Sequence, residues 1–196
     1  MPAQLTLFQQ SRNLPEGFVY ETGFLAAEEE ARLVKTIETL PFRQFEFQGF
    51  LGKRRVVSFG WKYDFNDREL RRTEDIPDFL LPLRERAAKL ARLPESALQQ
   101  VLLTEYQPGA SIGWHKDKAV FGEVVGISLL SECVFRFRKK TGPTWHRASL
   151  AMEPRSVYLL QGPARSEWEH SIPGVESLRY SITFRNLLSA NNAKAS

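Results

Sequence analysis

The stretch that decides the fold is RYSITFR, residues Arg179 to Arg185. Side chains alternate between the two faces of a β-strand, so an extended segment here divides into two sets. One face carries Tyr180, Ile182 and Phe184, and the other carries Arg179, Ser181, Thr183 and Arg185. Two arginines on one buried face repel each other and lose hydration unless an anion lies between them. The stretch therefore predicts a strand with the core on one side and a small carboxylate or phosphate ligand on the other.

A set of metal-ligating residues precedes this strand. His170 lies nine residues before Arg179 (179 − 170), and His115-Lys116-Asp117 is the one His-x-Asp sequence in the chain. Two histidines and one carboxylate form the facial triad that leaves three positions open on a non-haem Fe(II). Taken alone, His-x-Asp equally fits an exposed pair beside a turn. Its order along the chain, before a histidine and two arginines six residues apart, favours a metal site.

These motifs, in this order, resemble the AlkB-like branch of the Fe(II)/2-oxoglutarate dioxygenases. The resemblance covers about Val101 to Asn186 and is strongest in YQPGASIGWHKD, WEHSIP and RYSITFR. It implies a mainly β fold with flanking helices, the double-stranded β-helix or jelly roll. It also implies Fe(II) bound by His115, Asp117 and His170, with 2-oxoglutarate and O2 as co-substrates.

The same resemblance implies which residues bind 2-oxoglutarate. Arg179 would pair with the distal carboxylate with help from Tyr106, while Arg185 would lie near the carboxylate that chelates the metal. Thr183 would line the same face. Thr104 stands two residues before Tyr106, where nucleic-acid repair members of the family have asparagine, and its hydroxyl can still donate a hydrogen bond.

The implied activity is oxidative removal of N-alkyl groups from bases of DNA or RNA. Three basic clusters could face a phosphate backbone: Lys53-Arg54-Arg55, Arg68 with Arg71-Arg72, and Arg136 with Arg138-Lys139-Lys140. The candidate substrate contacts are Arg54, Trp61, Tyr63 and Arg138. An aromatic ring at Trp61 could stack on an extruded base, although a plain core position fits it as well.

Two other functions stay open at this point. The same oxygenase chemistry could act on a protein side chain, or the chain could be a metal-binding β-barrel module without turnover. At position 119, two residues after Asp117, the chain has alanine where the best-known DNA-repair member has an acidic residue that contacts the damaged base.

Length and composition indicate one globular domain. The chain has 196 residues, 42 % hydrophobic and 12 % aromatic, with a formal net charge of +4. No apolar run approaches the roughly 20 residues that span a bilayer, and the N-terminus lacks the pattern of a signal peptide, so we expect a cytoplasmic monomer without membrane contact. The single Cys133 predicts a buried thiol and excludes an internal disulfide.

Both ends of the chain differ from the domain at 16–188. Residues 1–15 are predicted to form a flexible arm and residues 189–196 a disordered tail. Within the arm, Gln4-Leu5-Thr6-Leu7-Phe8 looks like the short peptide by which many bacterial repair and replication proteins bind the sliding clamp. Packing of these residues onto the barrel is the alternative.

The remaining pattern predicts helices before strands. Helices are expected from Ala26 to Leu40 and from Pro77 to Ala91, the second capped by Asp75, and a hairpin is expected to turn at Gly52. The expected strands are Val101–Tyr106, Val124–Leu130, Val134–Arg138, Ala148–Met152, Ser156–Leu160 and Arg179–Asn186. His146 is expected in a solvated loop, and Trp114 and Trp168 are expected to pack beside the metal ligands.

Overall fold

A computed structural model describes residues 14–47, 50–64 and 67–188. The α-helices of this part of the chain are α1 Ala27–Ile37, α2 Leu81–Ala91 and α3 Gly162–Ser166, with 3-10 turns at Asp78–Leu80 and Glu95–Ala97. The strands are β1 Phe18–Glu21, β2 Arg43–Phe47, β3 Phe50–Phe59, β4 Trp61–Asp64, β5 Glu69–Arg72, β6 Leu98–Tyr106, β7 Ile112–His115, β8 Phe121–Leu129, β9 Cys133–Thr141, β10 Thr144–Met152, β11 Ser156–Leu160, β12 Glu169–Ile172 and β13 Arg179–Leu187.

Two antiparallel sheets form the body of the fold. The larger sheet has seven strands in the order β1-β11-β8-β13-β6-β3-β2, and the smaller has four in the order β10-β9-β12-β7. Strands β4 and β5 form a separate hairpin. Strand β13, which contains RYSITFR, is the central strand of the larger sheet and pairs with β6 and β8. The predicted jelly roll with flanking helices is therefore confirmed.

The two faces of β13 separate as the alternation predicts. Tyr180, Ile182 and Phe184 join a core that packs the larger sheet against α1 and α2. On the other face a second core, with Phe135 and Phe137 of β9, fills the space between the two sheets. The site lies between the sheets because Arg179, Ser181, Thr183 and Arg185 point there.

Most predicted elements are present with shifted ends. Ser156–Leu160 has the predicted limits, whereas the other five predicted strands extend one to four residues further at one or both ends or shift by a few residues. Cys133 is buried and unpaired, as expected. The prediction of a loop at His146 is wrong, because this residue lies within β10, opposite Lys139, with its side chain exposed.

Two local predictions are also wrong. Gly52 is not the hairpin turn but lies inside β3, at the shift of register against β2, where β3 accommodates two extra residues as an irregularity of the bulge type. Asp75 does not cap α2, because a 3-10 turn follows Pro77 and the carboxylate of Asp75 instead accepts a hydrogen bond from Arg72 at 2.5 Å.

In the described part of the chain, no helix is long and apolar enough to cross a membrane. The peptide at residues 4–8 lies outside the described residues, so its binding to a sliding clamp stays a prediction. The same holds for the arm as a whole and for the tail.

Candidate metal and co-substrate site

The three predicted metal ligands meet between the sheets. His115 ends β7, Asp117 follows it, and His170 lies in β12, directly opposite His115 in the register. One ligand atom from each residue lies within 4.8 Å of the other two. The two imidazole centroids are 4.3 Å apart, and His170 Nε2 lies 3.6 Å from Asp117 Oδ2. This spacing suits three ligands on one face of a single ion.

The donors have the charge state that a cation needs. Burial would raise the pKa of Asp117, but Arg185, His170 and His115 outweigh it and hold the pKa of this carboxyl well below its usual range. Burial, assisted by His115, lowers the pKa of His170 to about 3. At neutral pH the site therefore offers a carboxylate and a neutral imidazole, both of which can bind a metal.

His115 is oriented by its own strand. Its Nδ1 lies 2.9 Å from the carbonyl oxygen of Gly113. A carbonyl oxygen only accepts hydrogen bonds, so Nδ1 is the protonated nitrogen and Nε2 carries the free lone pair. This contact fixes the tautomer that binds a metal through Nε2.

The two arginines of RYSITFR have different partners. Arg185 binds Asp117 Oδ1 through Nε and Nη2, each at 2.8 Å, and donates from Nη1 to Gln100 at 3.0 Å. The expectation that an external anion lies between the two arginines therefore needs a correction at Arg185, since Asp117 supplies that negative charge from within the chain. No carboxylate of the described residues pairs with Arg179.

Arg179 is the fully buried cation of the site. It is 1 % exposed, its Nε donates to Ser128 Oγ at 3.1 Å, and its guanidinium lies 4.8 Å from the Tyr106 ring centroid. Its Nη1 has no hydrogen-bond partner in the described structure. A buried guanidinium nitrogen without a partner is costly, and a ligand carboxylate would satisfy both its charge and its hydrogen bond.

The cavity joins the triad to Arg179. The side chains that line it are Leu102, Thr104, Tyr106, Ile112, His115, Asp117, Phe135, Tyr158, His170, Ile172, Arg179, Ser181, Thr183 and Arg185. The predicted metal residues and all five predicted co-substrate residues thus surround one space. A dicarboxylate with one end on the metal and the other on Arg179 fits this donor set.

Several residues of the site, Tyr158 and Ser128 among them, were not predicted from the sequence. Tyr158 lines the cavity, and burial raises its pKa above the usual range, so the phenol stays protonated. Its ring covers Gly126, where a Cβ would lie 2.2 Å from the ring atoms. Ser128, the partner of Arg179, was also missed. The inward alternation of polar and small residues along β8 and β11 was the available signal.

Arg165 of α3 holds the loop that follows Asp117. Its Nη2 donates to the carbonyl oxygens of Lys118 at 2.8 Å and Phe121 at 2.7 Å, and its Nε donates to that of Gly122 at 2.8 Å. Three hydrogen bonds from one planar group restrict the backbone, so Arg165 positions the loop on which Asp117 depends.

None of the four candidate substrate residues is among the side chains that line the cavity. The Tyr63 ring centroid lies 5.3 Å from the Nζ of Lys118, the residue that follows Asp117. Arg54 donates to the carbonyl oxygen of Ser111 at 3.4 Å, beside the cavity. Trp61 lines a separate groove, with Arg72 over its ring.

Arg138 and Trp114 lie on the outer side of the smaller sheet. Arg138 pairs there with Glu169 at 2.5 Å. The prediction that Trp114 packs beside the metal is wrong, because alternation turns its side chain outward, against Arg136 and Arg138. Trp168 does pack inward, edge-on to Phe137.

A family model described as the 2OG-Fe(II) oxygenase superfamily matches residues 17–185. The chain belongs to this superfamily. The site of the oxygenase agrees with that membership, since it offers two imidazoles and a carboxylate for Fe(II) and an unpartnered Arg179 nitrogen for 2-oxoglutarate. The family supports a dioxygenase that uses O2, rather than a metal-binding module without turnover.

Curated relatives place the oxygenase among AlkB-like proteins. The "Alkylated DNA repair protein ALKBH8 homolog" of Arabidopsis thaliana is 25 % identical over 193 residues, covering 86 % of this chain and 54 % of that protein. The mouse "Alpha-ketoglutarate-dependent dioxygenase alkB homolog 7, mitochondrial" is 30 % identical over 160 residues, covering 79 % and 66 %. The chain thus spans about half the length of the Arabidopsis relative.

A solved structure shows the same fold. The chain titled "The structure of OsALKBH1" superposes with a TM-score of 0.67 and 18 % sequence identity, covering 88 % of this oxygenase and 97 % of that chain. This match confirms the fold, while the curated relatives confirm the AlkB-like resemblance of the sequence motifs.

Proposed function

We propose that this oxygenase removes N-alkyl groups from nucleic-acid bases by oxidation, with Fe(II), 2-oxoglutarate and O2. The observation that carries the chemistry is the position of Arg179, which points an unpartnered buried nitrogen into the cavity that the His115, Asp117 and His170 donors share. No other arrangement in the described residues joins a metal-binding triad to a free buried cation.

Each residue has a role that its surroundings support. His115, Asp117 and His170 would hold the iron, and Arg179 would bind the distal carboxylate of 2-oxoglutarate beside Tyr106. The apolar walls, with Ile172 among them, would exclude water from the reacting carbon. When bound, the iron and its co-substrates supply oxidation of the alkyl C–H bond, so that an N-methyl group leaves as formaldehyde while succinate and CO2 are formed.

The nucleic-acid substrate rests on two lines of support. The Arabidopsis relative carries alkylated DNA repair in its name. The chain has a formal net charge of +4, and the Tyr63 ring lies against Lys118, the residue that follows the metal-ligand candidate Asp117. An aromatic ring can stack on a base, and a cation can contact its phosphate.

The test is a panel of N-methylated DNA, RNA and peptide substrates incubated with Fe(II) and 2-oxoglutarate, with formaldehyde as the readout. We expect formaldehyde from a nucleic-acid substrate and none when 2-oxoglutarate is omitted. Release from the peptide alone would contradict the proposal and indicate a protein-modifying oxygenase. The His170→Ala variant serves as the inactive control.

A further inference from the structure

The outer face of the smaller sheet carries an unusual set of side chains. Phe135 and Phe137 of β9 point inward between the sheets, so the alternate residues of β9 point outward. The outer sheet face, as we call this surface, consists of Trp114, Arg136, Arg138, Lys140, Trp145 and Arg147. Register places them together, since Arg147 is opposite Arg138 and Trp145 is opposite Lys140.

Cations and indole rings alternate across this face. The Arg138 guanidinium lies 4.6 Å from the Trp114 ring centroid and 4.8 Å from that of Trp145. Arg136 lies 5.0 Å from Trp114, and the Lys140 ammonium lies 5.9 Å from Trp145. Trp145 is 38 % exposed, which is a large apolar ring to leave in water. Cation–π contacts of this kind order the side chains in place before any ligand arrives.

The positive charge of this face is only partly balanced. Glu169 pairs with Arg138, and it is the one carboxylate on the outward positions of the four strands. Arg147 is exposed and has no ion-pair partner in the described structure. Four cations therefore face one carboxylate.

The other two basic clusters are partly balanced by carboxylates. Arg55 binds Glu105 through two hydrogen bonds of 2.7 Å each. Arg71 pairs with Asp67, and Arg72 pairs with Asp75. The outer sheet face, in contrast, has three cations without an ion-pair partner in the described structure, namely Arg136, Lys140 and Arg147.

We propose that the outer sheet face binds single-stranded nucleic acid, with bases stacking on Trp145 and its neighbouring rings and phosphates contacting Arg147 and Lys140. An exposed sheet that combines aromatic rings with cations is the arrangement that binds single strands without sequence preference. A duplex buries the faces of its bases and would use only the cations. An acidic polypeptide would likewise leave the indole rings unused.

The proposal concerns binding and does not depend on the dealkylation proposed above. The face lies on the reverse side of the strands that hold the metal ligands, since Trp114 directly precedes His115 and Glu169 directly precedes His170. A single-stranded nucleic acid bound to this face would lie one sheet thickness away from the cavity. Long substrates would then bind more tightly than short ones that reach the cavity alone.

The experiment measures fluorescence anisotropy of a labelled, unmethylated oligothymidine of about 16 nucleotides, the upper end of the usual site sizes. The intact protein is compared with Trp145→Ala, with Trp145→Phe, and with the pair Lys140→Ala and Arg147→Ala. The matched control is the pair Arg32→Ala and Lys35→Ala on α1, where both side chains are exposed and the same net charge is removed.

We expect Trp145→Ala to weaken binding about tenfold and Trp145→Phe to retain most of it, because stacking needs a ring. The double variant Lys140→Ala and Arg147→Ala should lower the slope of log affinity against log salt concentration by about 0.7 for each phosphate contact removed. The control double variant on α1 should leave this slope near that of the intact protein. Equal weakening by both pairs would show a general charge effect and overturn the proposal.

Two competition arms identify the partner. A matched duplex and poly-glutamate are each added against the labelled single strand. Competition by poly-glutamate as strong as that of unlabelled oligothymidine would assign the face to an acidic polypeptide, and competition by the duplex at equal strength would remove the role of stacking. If the expected anisotropy results hold while no methylated substrate yields formaldehyde, the face stands and the proposed dealkylation fails.

Discussion

Arg185 holds Asp117 by one oxygen, since its Nε and Nη2 each lie 2.8 Å from Oδ1. The second oxygen, Oδ2, is left facing His170 at 3.6 Å from Nε2. The ion pair thus fixes which carboxylate oxygen is free for the metal.

The first prediction concerns this pair. Arg185→Leu removes the main positive partner of a buried carboxylate, so we expect Fe(II) affinity to fall about 10–100-fold, as for other partners of metal ligands. Anaerobic equilibrium dialysis measures the change. Gln100→Leu removes the other partner of Arg185 and leaves the ion pair intact, so it should have a much smaller effect. Fe(II) binding that is unchanged in Arg185→Leu would show that the pair has only a structural role.

A second prediction separates the histidines. His170→Ala should abolish Fe(II) binding and succinate formation, because two ligands hold the ion far less well than three. His146→Ala is the matched control, since His146 is exposed on β10 and should leave both unchanged. Thermal melting of the apoproteins confirms that each variant is folded. Full activity of His170→Ala would remove this residue from the metal site.

Arg179 provides a third prediction. Arg179→Leu removes the buried cation that would bind the distal carboxylate, and loss of one partner from such a pair costs about 2–5 kcal/mol. Anaerobic calorimetry of the Fe(II)-loaded protein should show 2-oxoglutarate affinity falling by orders of magnitude. Affinity for 2-oxobutyrate, which lacks the distal carboxylate, should change little. An equal loss of affinity for 2-oxoglutarate and 2-oxobutyrate would mean that Arg179 only supports the fold. Arg86→Leu is the control for the loss of an arginine far from the cavity.

The fourth prediction concerns a glycine under a tyrosine. A Cβ at Gly126 would lie 2.2 Å from the Tyr158 ring, so Gly126→Ala must displace the ring or the strand, at about 1–3 kcal/mol of stability. Gly113→Ala is the control, because this strand glycine has open space at the Cβ position. Adding Tyr158→Leu should restore stability by removing the ring. Urea unfolding measures all three, and equal midpoints for the two alanine variants would contradict the prediction.

A pH-dependent prediction comes from the other face of the larger sheet. The hydrogen bonds from Arg55 lower the pKa of Glu105 from its usual value. A depressed pKa adds stability that is present above the unfolded-state value, about 4.3, and is lost as pH falls through the folded-state value. Glu105→Gln should therefore cost about 1–2 kcal/mol at pH 7. The difference from the intact protein should narrow below about pH 4.

Denaturant unfolding across this pH range measures the effect. Glu85→Gln is the control, since Glu85 pairs with Lys89 on the exposed surface of α2, where the change should be too small to resolve. If the difference in free energy of unfolding between Glu105→Gln and the intact protein stays constant with pH, then Glu105 stabilises the fold by packing and not by its ionisation.

The central strand and the donor types of the site could be predicted from the sequence. The alternation in RYSITFR depends on the local pleat of a strand, which does not need the rest of the fold, and this is why both of its faces were predicted correctly. The type of metal ligand can also be predicted without the fold, since an imidazole or a carboxylate can donate to a metal wherever it lies in the structure. Shifted ends, as at β9, reflect pairing with neighbours that continue a strand beyond its own preference.

Only the tertiary structure decided the partners of the charged groups. Asp117 and Arg185 are 68 positions apart (185 − 117), and their ion pair exists because the sheets bring β13 and the residues after β7 to one cavity. The same packing pairs Arg55 with Glu105, which is 50 positions away, whereas Arg71 and Arg72 bind carboxylates within four positions of themselves.

By itself, the sequence determined that a buried strand would present two arginines to a site with two histidines and an aspartate. The pleat and the donor chemistry are properties of neighbouring residues, so no long-range contact was needed. The tertiary structure decided that Arg185 is neutralised within the chain while Arg179 keeps a free nitrogen, and that Trp114 faces outward. These contacts and orientations depend on strand register, which pairs residues far apart in sequence and is set by the packing of whole sheets.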